Sequence, residues 1–433
     1  MADEKNWIRE AMFYHIYPLG FTGAPLRNEG EATAGGRILE VLDWIEHFKE
    51  LGINAIYFGP IFESVSHGYD TTDYYQTDSR LGSKEDFKKV FTALHENGIR
   101  VIVDGVFNHV GRKFFAFLDV QKNLEQSDYK DWFCNLNFSW QSPLGDSFSY
   151  ENWHGAAELV KLNLRNPAVC EHLLGAVGMW MDELGIDGLR LDAADCVDRE
   201  FFKRLHSFTK GKREDFWLMG EIIHGDYRVW ANDEMLDSVT NYECWKGIYS
   251  SHNDKNYFEI AYSLKRQFGQ GGLYENLCLY NFLDNHDVNR IGSLLKQREN
   301  LKNAYTLLYM MPGIPSIYYG SEWGIEGVKG QGMDADLPLR PKLDLEEMCA
   351  QETALPAHIR ELAKIRKESD AVKYGAYDEV LVRNKQFVFA RRSGEQYKVI
   401  ALNLTDHAET LHFSYQGKEY EVLLEAYTSK IME

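Results

Sequence analysis

The stretch KEDFKKVFTALHENGIRVIVDGVFNH, residues 84–109, decides the fold. Its first half carries apolar residues at helical spacing (Phe87, Val90, Phe91, Leu94), and Gly98 stands where helix C-termini favour glycine. Val101–Val106 is then a short β-branched run, the pattern of a strand buried on both faces. Outward from this unit the same alternation recurs. Further strands are expected at Met12–Tyr17, Ala55–Phe58, Gly188–Leu191, Trp217–Gly220, Ser238–Tyr242, Leu277–Phe282 and Ser316–Tyr319. Helices are expected at Ile38–Leu51, Pro167–Leu184, Arg199–Thr209, Tyr257–Phe268 and Glu299–Met310. Alternating strands and helices imply parallel strands joined by crossover helices. Eight repeats over roughly 350 residues predict an α/β fold, a closed (β/α)8 TIM barrel; an open doubly wound sheet is the alternative on pattern alone.

Two segments break the alternation. After the third strand, residues 110–164 are polar, aromatic and loop-like (SDYKDWFCNLNFSWQSPLGDSFSYENWHG). A structureless loop of that length is uncommon, so a small inserted domain is expected. After about residue 370, the runs QFVFARRS, YKVIALNLT, TLHFSY and EYEVLLEAY alternate at period two, which reads as a C-terminal antiparallel β-sandwich. The expected domains are therefore a barrel over 1–109 and 165–369, an insertion over 110–164, and a sandwich over 370–433.

The chain has 433 residues with 47 Lys and Arg against 66 Asp and Glu, a net charge of −19. Phosphate recognition needs clustered cations, so neither nucleic acid nor an anionic membrane surface is an expected partner. No apolar run reaches the length of a membrane span. The start MADEKNWIRE is acidic and has no apolar core of a signal peptide. Six scattered cysteines without a CxxC pair read as reduced thiols, and a cytoplasmic location is expected. Aromatic residues reach 14%, enough to line both a core and a ligand site.

In a barrel, chemistry gathers where strands end. The third strand leads into Asp104, Asn108 and His109, and the fourth into Arg190 and Asp192. The fifth leads into Glu221, and the seventh into Asp284, Asn285, His286 and Asp287. A charge beside a buried run is costly unless it is paired or used, and four strand ends carry one. Three converging carboxylates, Asp192, Glu221 and Asp287, suggest glycosidic cleavage, in which one carboxylate attacks and one carboxylic acid gives a proton. Arg190 lies two residues before Asp192, on the same strand face, and is expected to keep it ionised as nucleophile. Glu221 has no cation in its own strand and is expected to stay protonated as general acid. His109 and His286 are suited to bind sugar hydroxyls.

The segments DGVFNH (104–109), GLRLDAAD (188–195), GEII (220–223) and FLDNHD (282–287) resemble, in order and spacing, the four signature regions of the α-amylase family, glycoside hydrolase family 13. The resemblance covers nearly the whole chain. It implies Asp192 as nucleophile, Glu221 as acid/base and Asp287 as the third carboxylate, which holds sugar hydroxyls and steadies the transition state. It implies substrate-binding roles for Asp104, His109, Arg190 and His286, and for Tyr69 (in HGYDTTDYY) stacking under the sugar being cleaved. Asp336 and Arg340 (DLPLR), with Asp334 nearby, resemble a pair that closes this subsite. Asn108 resembles a calcium ligand of many amylases; calcium is possible and no cofactor is required. LVKLN (159–163) resembles a motif of the neopullulanase and cyclomaltodextrinase branch. With strand one near Met12, the N-terminal β-domain of that branch, which pairs subunits, is not expected. Asp195 and Cys196 replace the Lys-His of many α-amylases, so the leaving-side subsites are expected to differ; Ile223 stands where the branch has Trp. The expected activity is retaining hydrolysis of α-1,4 bonds in maltooligosaccharides, cyclodextrins, pullulan or starch. A glucanotransferase using the same intermediate and a non-catalytic carbohydrate-binding barrel are the alternatives.

Overall fold

A computed structural model of the chain describes residues 7–29, 36–332, 334–351 and 353–433. Eight parallel strands form one sheet: Phe13–Ile16, Ala55–Phe58, Arg100–Gly105, Gly188–Leu191, Trp217–Gly220, Ser238–Val239, Tyr280–Phe282 and Ile314–Tyr318. They are called barrel strands one to eight below. Around the sheet they run six, five, four, three, two, one, eight, seven. A parallel bridge between Thr240 and Tyr280, with the Asn241 N–H donating to the Tyr280 carbonyl at 2.9 Å, joins six to seven and closes the barrel.

Inside the ring, Phe13, Tyr57, Ile102, Trp217, Met219, Tyr280, Phe282 and Ile314 form a dry plug. Toward the strands' C-terminal ends the buried inward residues turn polar: His15, Asp104 and Arg190. The plug adds to the hydrophobic stabilisation, and the polar layer above it needs internal partners.

The sixth strand stops at Val239 rather than running to Tyr242. Asn241 leaves the sheet and caps a helix over Tyr242–Asn253, its side chain accepting the Cys244 N–H at 3.2 Å. The expected helix Ile38–Leu51 divides into a 3-10 turn over Arg37–Trp44 and an α-helix over Ile45–Glu50. Ile38, Val41 and Trp44 are buried, a three-residue spacing that a 3-10 helix places on one face.

After barrel strand three, His109–Gly111 pairs antiparallel with Ala156–Lys161, which also pairs with Asn152–Trp153. Under this small sheet the ring of Phe117 packs edgewise on Phe133, Phe148 and Tyr150. At the C-terminal end a four-stranded antiparallel sheet faces a two-stranded one. Val388, Ala390, Val399 and Ala401 meet Leu411, Phe413, Tyr420 and Val422 between them. At its junction with the barrel two buried arginines, Arg366 from helix Leu355–Glu368 and Arg391 from strand Gln386–Ser393, cap one barrel helix. Arg366 donates to the Tyr309 carbonyl at 2.9 Å and Arg391 to the Met310 carbonyl at 3.0 Å, the last carbonyls of helix Leu301–Met310. A cation at that end also meets the negative pole of the helix.

The same junction holds an acid-sensitive histidine. His252 is buried and bonded to the Ile248 carbonyl at 2.7 Å, and burial lowers it to about 4. An unfolded histidine titrates near 6.5. Its contribution is thus complete above pH 6.5 and is lost as pH falls toward 4, a change of about 3 kcal/mol. His252→Gln is expected to flatten the stability–pH curve over that window by this amount in urea unfolding; an unchanged slope would refute it.

Candidate active site

Arg190 organises the centre. Barrel strands three, four and five are in register with Asp104 opposite Arg190 and Arg190 opposite Met219. Side chains two residues apart on one strand share a face, so Asp192 and Glu221 project beside Arg190. Arg190 Nη1 donates to Asp104 Oδ1 and Asp192 Oδ1, each at 2.9 Å. Its Nη2 lies 2.9 Å from Glu221 Oε2. The Ala193 N–H also donates to Glu221 Oε2 at 3.1 Å. Asp104 is itself tied down, its Oδ2 accepting from Tyr57 at 2.7 Å and from Tyr69 at 3.0 Å.

Arg190 lies beside Asp192 as its spacing predicts, and Glu221, with no cation in its own strand, meets the same guanidinium across the sheet. The guanidinium is shared, because Glu221 enters from the neighbouring strand at the same height. Burial pushes the Asp192 carboxyl well above the ordinary carboxylate range; Arg190 opposes this, and the Glu221, Asp104 and Asp287 charges add to it. Adjacent strands lie about 4.8 Å apart. Gly220 is paired with Leu191, so the two carboxylates follow register partners across one strand spacing.

The third carboxylate, Asp287, follows barrel strand seven. Its side chain is 35% exposed and lies 3.0 Å from both His286 Nε2 and Arg340 Nη2. Burial would raise this carboxyl, but His286, Arg340 and Arg190 outweigh it and hold it far below the usual range. Arg340 also pairs with Asp336 at 3.2 Å, donates to the His286 carbonyl at 3.0 Å, and lies 4.4 Å above the Tyr17 ring. Asp336 carries a second ion pair, to Lys329 at 2.8 Å. Asp334 is exposed.

Tyr69, half-buried, packs parallel to His286 with ring centroids 5.4 Å apart and bonds to its Nε2. His109 Nε2 lies 4.0 Å from Asp192 Oδ2, and burial lowers this imidazole to about 4, so it is neutral near pH 7. His109 Nε2 and His286 Nδ1 are buried without a protein partner. Buried polar nitrogens are seldom left so, and here they suit the hydroxyls of a bound sugar.

All ten residues expected to act on substrate or catalyse thus lie in one connected network. Asp284, from the same strand end as Asp287, does not join it: its Oδ2 accepts from Ile291 N–H and Ser321 Oγ, each at 2.7 Å, and holds the loop. Tyr242 was not expected there. Its hydroxyl reaches Glu221 Oε1 at 3.4 Å and accepts from Asn285 at 3.0 Å. The signal was its place just beyond the sixth apolar run, read as the strand's last residue.

Calcium takes six to eight oxygen ligands. Asn108 Oδ1 is buried and unpartnered, but among the described residues no three His, Cys, Asp or Glu side chains gather as a metal-holding group. No step below runs through a metal.

The chain matches the model of the α-amylase catalytic domain over residues 15–373. A cyclomaltodextrinase from a Bacillus species is 31% identical over 428 residues, covering 94% of this chain and 74% of that protein. An intracellular maltogenic amylase from Bacillus subtilis is 30% identical over 386 residues, covering 85% of this chain and 63% of that one. Among solved structures, the cyclic α-maltosyl-(1→6)-maltose hydrolase of Arthrobacter globiformis, in complex with cyclic α-maltosyl-(1→6)-maltose, aligns with a TM-score of 0.87 at 26% identity over 98% of both chains.

Proposed function

This chain belongs to the α-amylase family, and from that premise we infer that its three clustered carboxylates divide the cleavage of an α-1,4-glucosidic bond between them. The chain is an α-glucan hydrolase, and the family's retaining mechanism assigns the steps. Asp192 attacks the anomeric carbon from one face while Glu221 protonates the departing oxygen. Glu221 then takes a proton from water, which displaces Asp192 and restores the α-configuration. Asp287, held ionised by His286 and Arg340, binds hydroxyls of the sugar under attack. Tyr69 supplies a ring beneath that sugar, and the neutral His109 offers it a hydrogen bond. Asp336 and Arg340 close the far end.

The observation that carries this reading is one guanidinium bridging the carboxylates of strands three, four and five, each contact 2.9 Å. Preorganised charge of this kind costs no rearrangement when charge develops in the transition state. The relatives are named for cyclomaltodextrins and maltose units, so maltooligosaccharides, cyclodextrins and pullulan are the proposed substrates. A cytoplasmic location fits six cysteines that are all unpaired and a relative named intracellular. Among the described residues no helix is long and apolar enough to cross a membrane.

The test is stereochemical. Asp192 and Glu221 follow paired residues of neighbouring strands, and a strand spacing of about 4.8 Å is nearer the roughly 5–5.5 Å of retaining enzymes than the wider inverting separation. Proton NMR of the anomeric region during the first minutes on maltoheptaose should show the α-anomer first, with β appearing by mutarotation. A β-anomer as first product would rule out Asp192 as nucleophile. Chromatography of products from maltoheptaose, β-cyclodextrin and pullulan ranks the substrates.

A further inference from the structure

We propose that Trp153, at the tip of the hairpin in the inserted segment, is the platform for the sugar on the leaving side of the scissile bond; this rests on the roles given above to Asp192 and Glu221. The hairpin is built to hold that tip in place. Trp153 pairs with Ala156, and the two residues between them, His154 and Gly155, have φ of 47° and 90°. Positive φ at both centres is a type I′ turn, which matches the twist of the flanking strands. Glycine takes that conformation freely; a histidine in it carries strain, which surrounding contacts must support. Those contacts are visible: Asn152 Oδ1 accepts the Gly155 N–H at 2.9 Å, and His154 Nε2 lies 3.7 Å from Cys196 Sγ.

The tip thereby touches two strand ends of the site. The Trp153 ring lies 6.0 Å from that of His109, after barrel strand three, and His154 meets Cys196, four residues beyond Asp192 after strand four. The order of strands around the barrel gives the side. Asp287, Arg340, Tyr17 and Tyr69 follow strands seven, eight, one and two, and grip the sugar that is attacked. The proton donor, Glu221, follows strand five, so the departing sugar leaves over the strands-four-and-five half, which the hairpin tip borders through the contact of His154 with Cys196. On that half the end of strand five offers Ile223, an aliphatic residue 45% exposed. Trp153 keeps 36% of its surface open. An indole presents a wide, rigid apolar face with little conformational entropy to lose, which suits the C–H face of a pyranose.

The variants are Trp153→Ala and Trp153→Phe, each checked for an unchanged thermal transition, and the substrates are maltotetraose and α-maltosyl fluoride. Fluoride leaves without a sugar, so only maltotetraose places a ring on the leaving side. Trp153→Ala should lose about tenfold more kcat/KM on maltotetraose than on the fluoride, close to 1.4 kcal/mol of transition-state binding. Trp153→Phe should recover most of the difference. Equal losses on both substrates would mean that the indole acts only through His109, and no loss on either would mean that it binds nothing; both overturn the proposal. If the wild-type protein cleaved neither substrate, the function proposed above would fail instead.

Discussion

Glu221→Gln should lower kcat on maltooligosaccharides by two to four orders of magnitude, because the amide keeps the carboxyl's shape and removes its proton. Its geometry is largely kept: the Ala193 N–H and Arg190 Nη2 can still donate to the amide oxygen that replaces Oε2, though the charge pair with Arg190 is lost, and Tyr242 remains beside it. The fold should therefore be little altered. The loss should depend on the leaving group. Fluoride needs no protonation to depart, so the formation of the glycosyl intermediate from α-maltosyl fluoride should be largely spared. Its hydrolysis should remain slow, since the same residue must activate water. Asp192→Asn should show no such sparing, because the attacking atom itself is changed. Single-turnover kinetics of the two variants on both substrates measure this contrast. A Glu221→Gln enzyme with near-wild-type kcat on maltoheptaose would remove Glu221 from the chemistry.

The contrast between these residues also marks what a linear chain displays and what it hides. Asp104, Asp192, Glu221 and Asp287 were visible because each carboxylate follows an apolar run that has to be buried, and periodicity finds such runs. The barrel was visible for the same reason, down to Ala55–Phe58 and Trp217–Gly220, whose limits are the observed ones. Relations between strands were not. The rule that i and i+2 share a face finds Arg190 beside Asp192, and is silent on Glu221, 31 residues from Arg190 in sequence and 2.9 Å away in space. Register alone brings those two together. Asp284 shows the converse limit. It has the same local pattern as Asp287, yet its carboxylate turns toward Ile291 and Ser321, a choice made by loop packing. Tyr242 and Trp153 lay on segments read as strand and irregular insertion. Their proximity to Glu221 and His109 depends on a helix cap at Asn241 and a turn at His154.

Removing Arg190 should have the largest combined effect on stability and rate. The side chain is 3% exposed and contacts three carboxylates, each at 2.9 Å. Breaking a buried ion pair from one side costs about 3–5 kcal/mol, since it strands a charge in a medium that solvates it poorly. Arg190→Met leaves three such groups, and they relieve the repulsion by taking up protons. Their folded-state affinities for protons then rise above those of the unfolded chain. A carboxyl raised in this way favours the folded state at low pH and loses that advantage as pH rises. Urea unfolding should therefore show Arg190→Met to be destabilised by several kcal/mol near pH 8 and by clearly less near pH 5. In wild type Arg190 opposes the upward shift of Asp192, so the loss at alkaline pH should be smaller than that of the variant. Activity should fall at least a thousandfold, because a protonated Asp192 cannot attack. Arg190→Lys separates charge from geometry. An ammonium restores one positive charge, but it is a compact point and cannot span strands three, four and five as a planar fork does. Stability should return in large part while kcat stays far below wild type. If Arg190→Lys were fully active, the shared guanidinium would be dispensable, and the carboxylates would have to be held in place by Tyr57, Tyr69 and the Ala193 N–H alone.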